Sequence, residues 1–401
     1  MATNASGSDS RSASFSAASG RRHDHDLESL PAHELNDTRW LPRWVPSSAQ
    51  QLADAERRLL SSVRTRVHGF FVSIFERQSR LWTLSLGPAA SHGRLRTPLV
   101  LIHGFAGGVG IWCQNYDAFA TDRTVHAFDL LGFGRSSRPK FPDDPTNAEV
   151  EWVQSIEAWR KQMNVPKMIL LGHSLGGFLA ASYALEYPQH VRHLVMVDPW
   201  GCPCKPTDLG DREIRIPTWV RTVATVMAHF NPLSSVRAAG PWGSHLVRRF
   251  RPDLGRRFAG DAGDPNAIYD YIYHCNAQYP SGEAAFKQLS MPFGWAKRPM
   301  IERLPKIDKS VPMTFIFGAK SWIDCGPGYY LQQLLPEHYV HIEIVRNAGH
   351  HVYVDQADDF NQAVRDICAL VDTNEDLPMQ HHVNGRLNNN LHDETPSLFN
   401  L

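Results

Sequence analysis

The run Gly172-His173-Ser174-Leu175-Gly176 sets a serine midway between two glycines. That spacing suits a hydroxyl nucleophile. A sharp strand-to-helix turn exposes the serine, and the glycines omit the β-carbons for which such a turn has no room. The flanks supply the context, since Met168-Ile169-Leu170-Leu171 reads as a buried strand running into Gly172 and Phe178 to Tyr187 as a helix stopping at Pro188. A serine hydroxyl is a weak nucleophile at neutral pH, so acyl transfer through Ser174 requires a base within reach and an acid to orient that base. His350, in Asn347-Ala348-Gly349-His350 directly after the last apolar run, is the expected base; His351 beside it is expected to face away. Asp324 follows the run Met313 to Phe317 after a short loop and gives the chain order Ser, Asp, His, so it is the preferred acid. Asp198, which ends the run Leu194 to Val197, is its competitor.

A tetrahedral intermediate needs two preorganised N–H donors. Leu175, next after the nucleophile, supplies one, and Phe105 in the glycine-rich loop His103-Gly104-Phe105-Ala106-Gly107-Gly108 is the expected second. His103 reads as a structural histidine tying that loop together. This chemistry calls for no metal and no organic cofactor.

The elements that must position these groups are short apolar runs alternating with helical patterns: Leu99 to Ile102, Val125 to Phe128, Met168 to Leu171, Leu194 to Val197, Met313 to Phe317 and His341 to Val345. Continuous apolar strands belong to a parallel sheet covered on both faces, and strand-helix alternation makes the core a doubly wound, mostly parallel α/β sheet. Together with the serine turn this is the pattern of the α/β-hydrolase fold. Residues from about 200 to 300 break the rhythm with Pro, Trp and Arg, where an inserted, mainly helical cap is expected. The hydrolase domain is thus placed at 37–371.

Residues 1–36 hold seven serines in the first twenty positions and few apolar groups, so they are expected to form a disordered tail; 372–401, rich in Asn, His and acidic residues, are expected to form another. In the 401-residue chain, Lys plus Arg and Asp plus Glu number 41 each, so long-range attraction to nucleic acid is not expected. The six cysteines are scattered, without zinc-site spacing or a dense disulfide frame. The sequence has neither a run of about 18 apolar residues nor a signal-type apolar region at its start, which points to an intracellular protein.

The stretches Asp129-Leu130-Leu131-Gly132-Phe133-Gly134-Arg135-Ser136-Ser137-Arg138-Pro139, Tyr271-Ile272-Tyr273-His274-Cys275-Asn276 and Phe293-Gly294-Trp295-Ala296-Lys297-Arg298-Pro299-Met300 resemble one branch of the abhydrolase-domain family. That branch holds the N-acylphosphatidylethanolamine lipase and the lipid-droplet coactivator of adipose triglyceride lipase, and the resemblance spans roughly Trp40 to Val371. It implies a lipid enzyme or lipase partner working at membrane or droplet surfaces, including those of endoplasmic reticulum or mitochondria. The coactivator type carries Asn where Ser174 stands, so the resemblance implies the lipase type: release of fatty acid from (lyso)-N-acylphosphatidylethanolamine or related glycerophospholipids. Lys320 stands where the coactivator type has Arg in its activating loop, keeping the charge but losing the planar fork. The alternatives are a regulator of a triglyceride lipase or droplet-coat protein, and an acyltransferase for lysophosphatidic acid. The latter is read from the family pattern His-(four residues)-Asp, here His350 to Asp355; with His350 serving as base, Asp355 is expected to cap the helix beginning near Ala357. A soluble small-ester hydrolase would leave the aromatic segments unexplained.

Two further groups suit a lipid surface. Trp40 and Trp44 precede a helical run from Ser48 to Arg64 and are anchor candidates, because indole rings favour the hydrocarbon–water interface. In the cap, Arg248, Arg249 and Arg251 are candidates for binding anionic headgroups.

Overall fold

The structure, a computed structural model, describes residues 47–88, 96–205, 233–259 and 263–375. Trp40, Trp44 and the expected N-terminal tail lie outside the described residues, as does the chain beyond 375.

The six apolar runs form β3 (Leu99–Ile102), β4 (Val125–Phe128), β5 (Met168–His173), β6 (Val191–Val197), β7 (Met313–Gly318) and β8 (Val340–Val345). They pair in parallel in the order β4-β3-β5-β6-β7-β8. A hairpin of β1 (His68–Ile74) and β2 (Ser79–Leu86) extends the sheet, β2 pairing antiparallel with β4. The apolar runs do not announce this hairpin, because β1 mixes buried with part-exposed positions at the sheet edge.

Every residue of β3, β4, β5 and β7 is buried. Successive side chains point to opposite faces, so Leu99 and Leu101 enter one core and Val100 and Ile102 the other. The first core is closed by Leu52 and Leu59 from the helix Ala49–Leu59 and by Phe360 and Val364 from the helix Ala357–Glu375. The second is closed by Trp152 and Trp159 from Pro145–Gln162 and by Phe178 from Leu175–Glu186. The helix Pro145–Gln162 starts where its sequence says it should: Asp144 accepts the Asn147 N–H at 2.8 Å and Pro145 occupies the first turn. The last helix runs on through Asp372, which is ion-paired with the buried Arg123 at 2.7 Å, so the expected C-terminal tail begins within a helix.

Between β6 and β7 the chain forms helices Ser234–Ala238, Gly243–Phe250, Asp253–Ala259, Ala267–Asn276 and Ser281–Leu289, called the cap below. Arg138 clamps the cap to the loop after β4. One guanidinium nitrogen donates to the carbonyls of Gly132 and Tyr279, at 3.0 and 2.8 Å, and the other to those of Gly134 and Cys275, at 3.0 and 2.8 Å. On the other side Arg58 pairs with Asp270 of the cap at 2.6 Å. Among the described residues no helix is long and apolar enough to cross a membrane.

Candidate active site

β5 delivers Ser174 at its carboxyl end, and the helix Leu175–Glu186 begins at the next residue. Ser174 has φ 53° and ψ −116°, a conformation that L-residues avoid and that the flanking bonds enforce. Its N–H donates to Val197 at 3.0 Å, and its carbonyl accepts from Phe178 and Trp200 at 3.1 and 3.2 Å. A β-carbon on Gly172 would lie 2.2 Å from the Gly176 carbonyl oxygen, and one on Gly176 would lie 2.4 Å from that of Ile102. Both contacts are with backbone, which cannot move aside, and this is the physical reason for the two glycines flanking the serine.

His350 occupies the turn after β8. Three hydrogen bonds fix that turn: Lys320 N–H to the Ala348 carbonyl at 2.8 Å, Gly349 N–H to Asp355 at 2.7 Å, and His173 Nε2 to the His350 carbonyl at 2.9 Å. The His350 ring packs 4.7 Å, between centroids, from that of His173, the residue before Ser174. Trp322, 72% exposed, lies 5.1 Å from the same imidazole and screens its outer side.

The group bonded to His350 is Asp198. Its Oδ2 accepts from Nδ1 of His350 at 2.6 Å and also from the Ser321 hydroxyl, while Oδ1 accepts the Gly318 N–H at 3.2 Å. Asp198 is fully buried, and its φ of 44° turns the end of β6 toward His350. This corrects the preference for Asp324. That residue is exposed and spends its carboxylate on the Gly326 N–H, 2.9 Å away, at the start of the helix Gly326–Leu334. Both aspartates follow a strand; the turn at Asp198 brings its carboxylate to His350, and Asp324 folds back on its own helix.

Leu175 opens its helix, so its N–H has no intrahelical acceptor and sits at the positive end of the helix dipole. The loop carrying Phe105 abuts the nucleophile: a β-carbon on Gly104 would lie 3.1 Å from Cβ of Ser174. His103 ties that loop to the loop after β4, as its Nδ1–H donates to the Gly104 carbonyl at 2.7 Å and its Nε2 accepts the Leu130 N–H at 2.9 Å. Burial lowers its pKa to about 4, so it is neutral.

Phe286 of the cap extends the site with an aromatic row. Its ring centroid lies 4.5 Å from that of Phe105 and 4.7 Å from that of Trp200, which bonds to the serine turn. Ser321, Trp200 and Phe286 carry no motif and emerge only from packing.

His351 does not turn away. Its ring lies 5.4 Å from that of His350 and 5.7 Å from that of His173, and burial with the His350 imidazole beside it lowers its pKa to about 3. Asp355 does not cap the last helix but accepts the Gly349 N–H. Of the cap arginines, Arg248 and Arg249 are exposed, whereas both Arg251 contacts with Asp253 are 3.0 Å, which occupies its guanidinium. Lys320 is exposed on the loop after β7.

Residues 97–357 match the α/β hydrolase fold family. The chain belongs to the α/β-hydrolase family. It is 52% identical over 348 residues to the mouse protein named (lyso)-N-acylphosphatidylethanolamine lipase, an alignment covering 86% of this chain and 99% of the relative. It is 48% identical over 326 residues to the human 1-acylglycerol-3-phosphate O-acyltransferase ABHD5, covering 81% and 92%. This α/β-hydrolase therefore lies in the lipid branch its motifs resemble, with a lipase among its relatives. Solved structures agree on the fold. The carboxylesterase CesB from Bacillus subtilis superimposes with a TM-score of 0.55 at 19% identity, covering 80% of this chain and 98% of that one. A membrane phospholipase A described as a bacterial virulence factor gives 0.54 at 21%, covering 81% and 91%.

Proposed function

We propose that this α/β-hydrolase is a serine lipase that releases fatty acid from (lyso)-N-acylphosphatidylethanolamine or related glycerophospholipids. The single observation that carries the reading is the strained turn at Ser174, whose neighbour His173 packs 4.7 Å from the ring of His350, the imidazole held by Asp198.

In this reading His350 Nε2 takes the Ser174 proton as Oγ attacks the ester carbonyl. The Phe105 and Leu175 N–H groups receive the oxyanion, helped by the dipole of the helix Leu175–Glu186. Asp198 holds the imidazole by Nδ1 and stabilises it when it becomes charged. The imidazolium returns its proton to the departing lysolipid oxygen. Water, deprotonated by His350, then cleaves the acyl-enzyme. The aromatic row Phe105–Phe286–Trp200 is a surface suited to an acyl chain. Trp40, Trp44 and the exposed Arg248 and Arg249 are suited to peripheral contact with a droplet or intracellular membrane surface, whereas Arg251 is already committed to Asp253.

The test is fatty-acid release from mixed micelles of lyso-N-acylphosphatidylethanolamine by the purified protein. Release by the wild type and its loss in Ser174→Ala are expected; equal release by both overturns the reading. The branch that the motifs resemble also holds a lipid-droplet coactivator, which favours a second reading, a regulator of a triglyceride lipase. Stimulation of such a lipase that is undiminished in Ser174→Ala would support that one.

A further inference from the structure

We propose that Asp355 is a positioning residue for the catalytic base, and that Arg257 makes this positioning depend on the cap. The inference rests on the serine-hydrolase reading above and adds to it a connection between cap and chemistry.

Asp355 ends the short helix Val352–Asp355, and its side chain is only 4% exposed. Each carboxylate oxygen has one partner. Oδ2 accepts the Gly349 N–H at 2.7 Å, and Oδ1 accepts from Nη1 of Arg257. The Gly349 N–H belongs to the Ala348–Gly349 peptide, so the first bond holds the backbone one peptide before the base. Arg257 lies on the cap helix Asp253–Ala259, so the second bond reaches across from the lid side of the molecule. The same helix is fastened nearby, since the Arg257 carbonyl accepts from the Gln114 side chain.

The opposite edge of the turn has little slack. A β-carbon on Gly318 would lie 2.2 Å from the Gly349 carbonyl oxygen, and Lys320 N–H holds the Ala348 carbonyl. The Ala348–Gly349 peptide is thus gripped at its carbonyl by the loop after β7 and at its N–H by Asp355. Releasing the Asp355 side frees the Ala348–Gly349 peptide to rotate, which shifts Gly349 and misaligns the imidazole of His350 that follows it. A displacement near 1 Å at a reacting group costs about 100-fold in rate. Because Asp355 acts through the backbone of the base, its loss slows transfer of the acyl group to water and to any lysolipid acceptor alike.

The experiment measures kcat and KM on a short soluble ester, together with the rate of Ser174 modification by a fluorophosphonate. The proteins are wild type, Asp355→Ala, Asp355→Asn, Arg257→Gln and the double variant Arg257→Gln/Asp355→Ala. Asp355→Ala is expected to lower kcat and the modification rate about 30-fold or more with KM within about 3-fold. Asp355→Asn, which keeps an acceptor for the Gly349 N–H, restores most of that loss. Arg257→Gln lowers kcat about 3-fold to 10-fold in the wild-type background and has no further effect once Asp355 is alanine. Should Asp355→Ala fail to fold, the Asp355→Asn and Arg257→Gln variants still decide: a wild-type rate in Arg257→Gln overturns the cap connection. Wild-type kcat in a folded Asp355→Ala, or an Asn variant as slow as Ala, overturns the positioning role. Failure of the wild type itself to react with the fluorophosphonate refutes the serine-hydrolase reading instead.

Discussion

Nδ1 of His350 lies 2.6 Å from Oδ2 of Asp198, although the two residues come from β6 and from the turn after β8, with β7 between them. The intervening strand permits the contact by ending in Gly318, whose N–H donates to Asp198 and whose missing side chain leaves room for the Gly349 carbonyl. The Asp198 carboxylate is therefore reached across a strand rather than from the adjacent one.

Replacing Asp198 by Asn should leave the fold intact but offer His350 the wrong hydrogen-bonding partner, lowering kcat about 10,000-fold on a soluble ester. Asp324→Asn should stay within about 3-fold of wild type. Equal losses in the two variants would contradict the geometry.

The Ser321 hydroxyl shares Oδ2 of Asp198 with the imidazole and also accepts the Ile323 N–H at 3.1 Å. Ser321→Ala removes a hydrogen bond to a buried charge, an effect of about 1.5 kcal/mol, or about 10-fold in kcat. Steady-state kinetics with KM unchanged would confirm it.

Gly176→Ala places a β-carbon against the Ile102 carbonyl, with no flexible side chain to yield. Overpacking of this kind destabilises by about 1–3 kcal/mol or more. A lowered Tm, accompanied by loss of fluorophosphonate labelling as the serine turn shifts, is the expected outcome.

Acid should weaken the fold through histidines buried in neutral form. Burial lowers His103 and His126 to about 4 and His193 to about 3. Their folded values lie below the unfolded value, so the unfolded chain binds more protons as pH falls through about 6.5, and stability declines from there toward about 4. His103 alone accounts for about 3 kcal/mol of the loss by the end of that window. Urea unfolding at pH 7, 6 and 5 should show falling midpoints; rising midpoints would contradict this.

Much of this was legible in the sequence because it rests on local rules. The six parallel strands follow from continuous apolar runs, and the serine turn from two glycines whose absent β-carbons the structure shows to be required. The β1–β2 hairpin was hidden, since its edge position lets polar residues interrupt the apolar pattern. The choice between Asp198 and Asp324 was hidden for a different reason: both end a strand-to-loop transition, and only the positive φ at Asp198 and the folding back of Asp324 separate them. Phe286 was hidden by distance, because it enters the site from a helix whose sequence signals nothing beyond burial.

In the proposed mechanism Ser174 is a nucleophile activated by His350. This is tested most directly by the rate of fluorophosphonate labelling of wild type, Ser174→Ala and His350→Ala, followed by intact-mass measurement. The expected result is one phosphonyl group on the wild type, none on Ser174→Ala, and labelling slowed by at least about 1,000-fold in His350→Ala. Full labelling of Ser174→Ala would contradict it.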